Sequence, residues 1–409
     1  MSNIPRLAEV YWFVGHLVGG VGDVDRIVLV GASLASVHAI DTLRSNDYAG
    51  EIVLVGAESQ VPYDRPPLSK EALRTGHHVS PLRGPEWYAD RGVRLELGRA
   101  ARGLRPATRT VVLEDGHELS YDGLVIATGS RVRRLRHGDE HICYLRTADD
   151  AAALRERLRA ATRVAVIGGG FLGLEVAATA TELGVHTTVI EVAPVPMARV
   201  LGDEVGEWFR RLHERHGVAM LCGRLATGVD RVGEEYVVSV PGREPIRADL
   251  VVGALGAVPV VDWLAGSGVA VSDGVVCDFT LRTTVPDVVA AGDVARWYNP
   301  LFDEDMRVEQ WTNAAEQGRH AALTLLGAED AYAPVPYFWS DQFDAKMRFV
   351  GRATAADEID IENSTDRRLV ATFARHGHQI GALCVNAPTE LPRHRAAIAA
   401  RSNLSSRPA

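Results

Sequence analysis

The sequence predicts an α/β protein in which two βαβ dinucleotide-binding units are joined to a smaller C-terminal α+β domain. Two of the observations behind this are glycine-bearing turns, each closing a continuous apolar run and each followed by a second apolar strand near an acid. The third is a change of texture after Pro334-Val335-Pro336, where apolar runs give way to aromatic and alternating patterns. At 409 residues the chain has room for two or three domains.

Taken in order, Val10 to Gly22 is apolar and glycine-rich, but too short to span a bilayer. It lacks a basic leader and a small-residue cleavage site, so a secretory signal is not expected. A packed arm and a loose extension both remain open for it. Ile27 to Val30 has the continuous apolar character of a parallel strand buried on both faces. Ser36 to Leu43 carries helical spacing, and Ile52 to Val55 is the next strand. A proline-stiffened loop, Val61 to Lys70, leads into a short helix; Val111 to Leu113 with Asp115-Gly116 reads as an edge hairpin. Leu124 to Ala127 is a strand ending at Thr128-Gly129.

The unit then restarts. Arg163 to Ile167 is a strand, Leu172 to Leu183 a helix, and His186 to Ile190 a strand ending at Glu191. Leu250 to Ala254 returns as a strand before Gly256, and Val288 to Ala291 as another, ending at Gly292-Asp293. Arg368 to Phe373 and Gln379 to Val385 alternate as strands of the C-terminal domain, and Ser402 to Ala409 is expected to be a frayed tail. The domains follow: 1–24 an extension, 25–130 with 255–333 the first dinucleotide domain, 131–254 the second, and 334–409 the C-terminal domain.

The composition, 46% hydrophobic and 24% charged, is that of a soluble globular protein, and the net charge of -9 argues against a general nucleic-acid binder. No run is long and apolar enough to suggest a membrane span. Cys143, Cys222, Cys277 and Cys384 form no C-x-x-C pair. They read as small buried residues of a chain kept in the reducing cytoplasm, and no metal site is expected. A disulfide reductase needs a dithiol, and none stands at a recognisable spacing. Lysine occurs only at Lys70 and Lys346, which singles out Lys70 in its proline-rich loop.

The second turn carries the stronger signal. Gly168, Gly170 and Gly173 fit G-x-G-x-x-G: a tight turn, close backbone approach to a pyrophosphate, and close helix–strand packing. Phe171 and Leu172 open the helix whose free N–H groups would face the phosphates. Glu191 can accept both ribose hydroxyls and repel a 2'-phosphate, and Val192-Ala193-Pro194 offers no arginine for one, so NADH is predicted over NADPH. The first turn, Gly31-Ala32-Ser33-Leu34-Ala35-Ser36, is degenerate, with Ser33 and Ser36 in place of two glycines. Two dinucleotides on one chain are the usual requirement for passing a hydride from a nicotinamide to a flavin.

The first turn, Pro62-Tyr63-Asp64-Arg65-Pro66-Pro67-Leu68-Ser69-Lys70, Ala127-Thr128-Gly129, Tyr144-Leu145-Arg146-Thr147, Ala291-Gly292-Asp293, Val308-Glu309-Gln310-Trp311 and Phe338-Trp339-Ser340-Asp341-Gln342 occur in that order. With them, the chain from about Arg26 to about Ile398 resembles the FAD-dependent, NADH-using ferredoxin reductases of bacterial oxygenase and cytochrome P450 systems, relatives of putidaredoxin reductase. The resemblance implies a glutathione-reductase-like fold, in which an FAD domain is interrupted by an NAD domain and followed by an interface domain. It implies that Gly31, Ala32, Ser33, Leu34, Ala35, Arg65, Lys70, Ala101, Thr128, Gly129, Arg146, Gly292, Asp293 and Trp311 hold FAD. Gly168, Gly170, Phe171, Leu172, Gly173, Glu175, Glu191 and Gly256 would hold NAD. The family's usual ribose acid falls at Ala57, and Glu58, one residue on, is expected to take its place at a changed angle.

Lys70 and Glu175 are the implied catalytic pair. A fixed positive charge near flavin N5 and O4 stabilises the reduced anion, and a carboxylate orients the ammonium. Tyr337-Phe338-Trp339 reads as core packing more than cofactor wall. With no dithiol available, the expected acceptor is an acidic [2Fe-2S] or similar ferredoxin, taken in two one-electron steps and feeding a P450 or ring-hydroxylating dioxygenase. Arg131, Arg133, Arg134 and Arg136 read as a solvated loop or as its dock. A rubredoxin reductase would share every motif, and a redox-sensing flavoprotein of the apoptosis-inducing type is the non-enzyme alternative.

Overall fold

The computed structural model describes residues 25–76 and 79–401. The N-terminal stretch Val10 to Gly22 and the tail Ser402 to Ala409 lie outside them.

Continuous apolar runs become the centres of two parallel sheets. In the first, the strands lie in the order Val288–Ala290, Gly123–Ile126, Arg26–Val30, Glu51–Gly56, Val93–Leu97. In the second the order is Ala219–Leu221, His186–Ile190, Arg163–Ile167, Leu250–Gly253, Cys143–Tyr144. The central strands are sealed on both faces: Ile27, Val28, Leu29, Ile52, Val53 and Leu54 are all 0% exposed. Each such side chain contributes about 1.5–3 kcal/mol by leaving water.

The helices after the turns are Leu34–Ser45 and Phe171–Glu182, each one residue or two longer at its N-terminus than the periodicity suggests. Three strands of these two sheets escape the sequence reading for physical reasons. Val93–Leu97 alternates because it is an edge strand, Ala219–Leu221 is short, and Cys143–Tyr144 is two residues long. The hairpin expected at Val111 to Leu113 is part of a three-stranded antiparallel sheet, Ala101–Arg105, Thr110–Leu113, Glu118–Ser120.

The C-terminal domain is an antiparallel sheet ordered Tyr337–Gln342, Ala345–Gly351, His378–Val385, Leu369–Arg375, Glu358–Ser364, with helix Leu391–Ala399 beyond it. Its apolar face, including Met347, Phe349, Phe373 and Leu383, packs against Leu201, Val205, Phe209 and Leu212 of helix Ala198–Arg215. That helix is broken at Gly202, whose φ is +74°. The C-terminal sheet therefore rests on the second dinucleotide unit and brings strand Tyr337–Gln342 up to helix Phe171–Glu182.

Candidate active site

A cleft of about 480 Å³ opens at the C-terminal ends of the first sheet's strands, within the size of a cofactor site. At its floor the chain turns through Gly31 at φ +119°, where a Cβ would lie 2.0 Å from the Ala127 carbonyl oxygen. Only glycine fits this crossing. Ser33 precedes helix Leu34–Ser45 without capping it, so the first N–H groups of that helix face the cleft free of a side-chain acceptor. That is a place for an anion such as a pyrophosphate. Ser36 stands where a third glycine would pack, is fully buried, and donates its hydroxyl to the Gly31 carbonyl at 2.6 Å.

Ala32, Ser33, Leu34, Ala35, Glu58, Arg65, Ala101, Thr128, Gly129, Arg146, Gly292, Asp293 and Trp311 line the cleft with Gly31, as do Leu172 and Glu175 from the second unit. Arg146 is held by local sequence logic: Thr147 and Asp150 form a capping box on helix Ala148–Ala160, and the Arg146 N–H donates to Asp150 at 3.0 Å. Its guanidinium pairs with Asp293 at 3.3 Å. Glu58 is gripped by Arg65 at 2.6 Å and accepts from the Tyr63 hydroxyl at 2.5 Å. Ala57, beside it, is exposed.

Trp311 starts helix Trp311–Leu325, which lies close on helix Leu34–Ser45; a Cβ on Gly318 would come 2.1 Å from the Ala35 carbonyl oxygen. The Trp311 indole N–H donates to Asp64 at 2.8 Å, and burial pushes the Asp64 carboxyl up while this hydrogen bond pulls it down. The aromatic segment divides by strand alternation. Phe338 packs against Phe171 and Phe349 in the core, whereas Trp339 meets Trp311 edge-on with ring centroids 6.0 Å apart.

The second turn meets the three geometric demands of its glycines. Gly168 sits at φ +112°, and a Cβ there would lie 2.2 Å from the Ala254 carbonyl oxygen. A Cβ on Gly173 would come 2.0 Å from the Gly168 oxygen, and Gly170 faces open space. Glu191 ends its strand with one carboxylate oxygen accepting from the Gly169 N–H at 2.6 Å and the other from the Ala193 N–H at 2.7 Å. Gly256, at φ +91°, lies past strand Leu250–Gly253 and does not line the cleft. The fold also joins a residue the local sequence hid: the backbone N–H of the exposed Arg224 donates to the Glu191 carbonyl at 2.8 Å.

The two units meet at Glu175. Its carboxylate pairs with Lys70 Nζ at 2.5 Å and accepts from Ser69 Oγ at 2.5 Å and from Ser340 Oγ at 2.6 Å. Lys70 is thus tied to the rim of the cleft through two residues that line it, Ser69 and Glu175. Ser69 and Ser340 carry no motif of their own; only the resemblance of the segments around them pointed there. All four cysteines are free, and none lines the cleft. Burial pushes the thiols of Cys222 and Cys384 up to about 11 and about 12, and those of Cys143 and Cys277 upward as well.

An interleaved pair of dinucleotide units sharing one largely buried ion pair defines a flavin- and pyridine-nucleotide-dependent oxidoreductase. Residues 25–318 match the pyridine nucleotide-disulphide oxidoreductase model and residues 337–408 the reductase C-terminal model. The chain belongs to that oxidoreductase family, in its ferredoxin reductase branch. It is 37% identical over 383 residues to the ferredoxin–NAD(+) reductase component of the anthranilate 1,2-dioxygenase system of Burkholderia cepacia, covering 92% of this chain and 94% of that one. The ferredoxin reductase for the CYP199A2 system from Rhodopseudomonas palustris superposes with a TM-score of 0.88 at 33% identity, covering 93% and 96% of the two chains. Putidaredoxin reductase, in its covalent complex with putidaredoxin, gives 0.88 at 32% identity, covering 92% and 93%. FAD and NADH are accordingly the cofactor and co-substrate. Among the described residues no helix is long and apolar enough to cross a membrane, and no group of three or more His, Cys, Asp or Glu is placed to hold a metal ion.

Proposed function

We propose that this chain is a cytoplasmic NADH-dependent reductase that passes electrons through FAD to an acidic [2Fe-2S] or similar ferredoxin, which feeds a cytochrome P450 or ring-hydroxylating oxygenase. One observation carries the reading: Glu175, from the helix of the second turn, lines the first unit's cleft and holds Lys70 at 2.5 Å. The two dinucleotide sites therefore converge on one ion pair, and no cysteine lines the cleft to take electrons onward.

The free helix N-terminus at Leu34 and the Gly31 turn receive the FAD pyrophosphate, Glu58 the adenosine ribose, and Arg146 with Asp293 the polar middle of the cofactor. Bound there, the flavin supplies the means to take two electrons at once and release them singly. The uncapped helix at Phe171 receives the NADH pyrophosphate. Glu191 accepts from the ribose hydroxyls with the lone pairs its backbone bonds leave open. Lys70 places a fixed positive charge at the reacting end of the cleft, and Trp311 with Leu172 walls that end from water.

Docking falls to the arginines that follow strand Gly123–Ile126. Arg131 pairs with Asp262 at 2.6 Å and Arg134 with Asp139 at 2.9 Å, whereas Arg133 and Arg136 have no carboxylate partner among the described residues. Measuring NADH–ferricyanide and ferredoxin-dependent cytochrome c reduction separates the two halves of the reaction. Charge reversal at Arg133 and Arg136 should cut the ferredoxin-dependent rate about tenfold and leave ferricyanide reduction unchanged. Equal loss in both assays would remove this docking site.

A further inference from the structure

We propose that Ser340, backed by Gln342 and His213, is a positioning residue through which the C-terminal domain fixes the Glu175–Lys70 pair for hydride transfer. The proposal rests on the NADH–flavin reading above and names a device within that site.

Ser340, Gln342 and His213 are 1%, 0% and 0% exposed. Ser340 Oγ lies 2.6 Å from Glu175 Oε1, Gln342 Nε2 lies 3.1 Å from Ser340 Oγ, and His213 Nε2 lies 3.0 Å from Gln342 Oε1. Ser340 and Gln342 share one face of strand Tyr337–Gln342, two residues apart. His213 comes from the last turn of helix Ala198–Arg215. Donor counting leaves the chain one direction. A carboxylate only accepts, so the single Ser340 proton goes to Glu175. Ser340 must then accept from the Gln342 amide N–H, which turns the Gln342 oxygen to the histidine. That oxygen can only accept, so His213 carries its proton on Nε2.

Burial pulls the His213 ring down to about 4, so at neutral pH it holds a single proton, the one the chain requires. Its Nδ1 is buried without a hydrogen-bond partner among the described residues. An apolar core would not keep an orphan acceptor without return; here the return is an oriented Gln342.

The other end of the carboxylate is fixed from the first unit. Oε2 takes Ser69 and Lys70, and Thr179, one helical turn after Glu175, donates to the Ser69 carbonyl at 2.9 Å. Both oxygens are thus committed, one to each flanking domain, and the carboxylate cannot rotate without breaking a buried bond.

The test uses the full-length flavin-loaded protein and follows flavin reduction by NADH in a stopped-flow instrument. Ser340→Ala should slow reduction about tenfold while the NADH dissociation constant stays within about twofold, and Ser340→Thr should restore the rate. On a Glu175→Gln background, Ser340→Ala should add nothing, because both act through one carboxylate. Gln342→Leu should fall between the wild type and Ser340→Ala. An unchanged rate in Ser340→Ala, or a full extra loss on the Glu175→Gln background, would overturn the proposal. A wild-type flavin that dithionite reduces but NADH does not would overturn the functional reading, and this proposal with it.

Discussion

The two dinucleotide turns solve one problem with different residues. In the second, three glycines let helix Phe171–Glu182 press onto its strand, so closely that any Cβ at Gly173 would sit 2.0 Å from a backbone oxygen. In the first, only Gly31 is retained. Ser36 occupies the packing position with a Cβ and a hydroxyl, and recovers the contact as a 2.6 Å hydrogen bond to the same turn's carbonyl. The irreplaceable element is therefore the glycine at positive φ, where strand, turn and the neighbouring strand's carbonyl cross. The packing position tolerates any small side chain that can satisfy what it covers.

The largest expected effect tests that conclusion directly. Gly31→Val and Gly168→Val each drive a Cβ into a carbonyl and hold it at unfavourable φ, a cost of about 3 kcal/mol or more, upwards of about 100-fold in binding. Gly31→Val should purify without flavin colour, while Gly168→Val should remain yellow yet be reduced by NADH at well under a tenth of the normal rate. The same phenotype from both would mean the two turns do not serve separate ligands.

The acids sharpen the comparison next. Glu191→Ala removes a carboxylate from the second turn and should raise the KM for NADH about tenfold with FAD content unchanged. Glu58→Ala should do the reverse, loosening FAD with little change in that KM. A Glu191 variant with an unmoved KM would remove it from the ribose site. The smallest effect is expected from Ser36→Gly. It loses one neutral hydrogen bond and adds backbone freedom, so the melting midpoint should fall by an amount equivalent to about 1 kcal/mol with catalysis intact. A rise in stability would mean the serine is a compromise and not a substitute.

Much of this was legible in the sequence because buried parallel strands announce themselves as unbroken apolar runs, and turns at positive φ announce themselves as glycine. Ile27 to Val30 and Arg163 to Ile167 carried both signals. Val93–Leu97 and Cys143–Tyr144 carry neither and needed the structure, whereas Val288–Ala290, also at a sheet edge, is fully buried and carries both. The site divided in the same way. Lys70 stood out through rarity and Glu175 through the resemblance, but Ser340 meets Glu175, and His213 meets Gln342, only because separate segments pack together, and the Arg224 backbone meets that of Glu191 only in the fold. Contacts made by long-range packing leave no local trace.

Each sheet takes one of its outermost strands from a different direction along the chain. The second sheet takes Cys143–Tyr144 from upstream, and the first takes Val288–Ala290 from far downstream. During synthesis, the lobe that begins first is thus completed late. Until residue 290 has left the ribosome, strand Gly123–Ile126 has one flank bare and the Gly292–Asp293 wall of the cleft does not yet exist. The cleft of the first unit is thus closed only after the sheet of the second has been made.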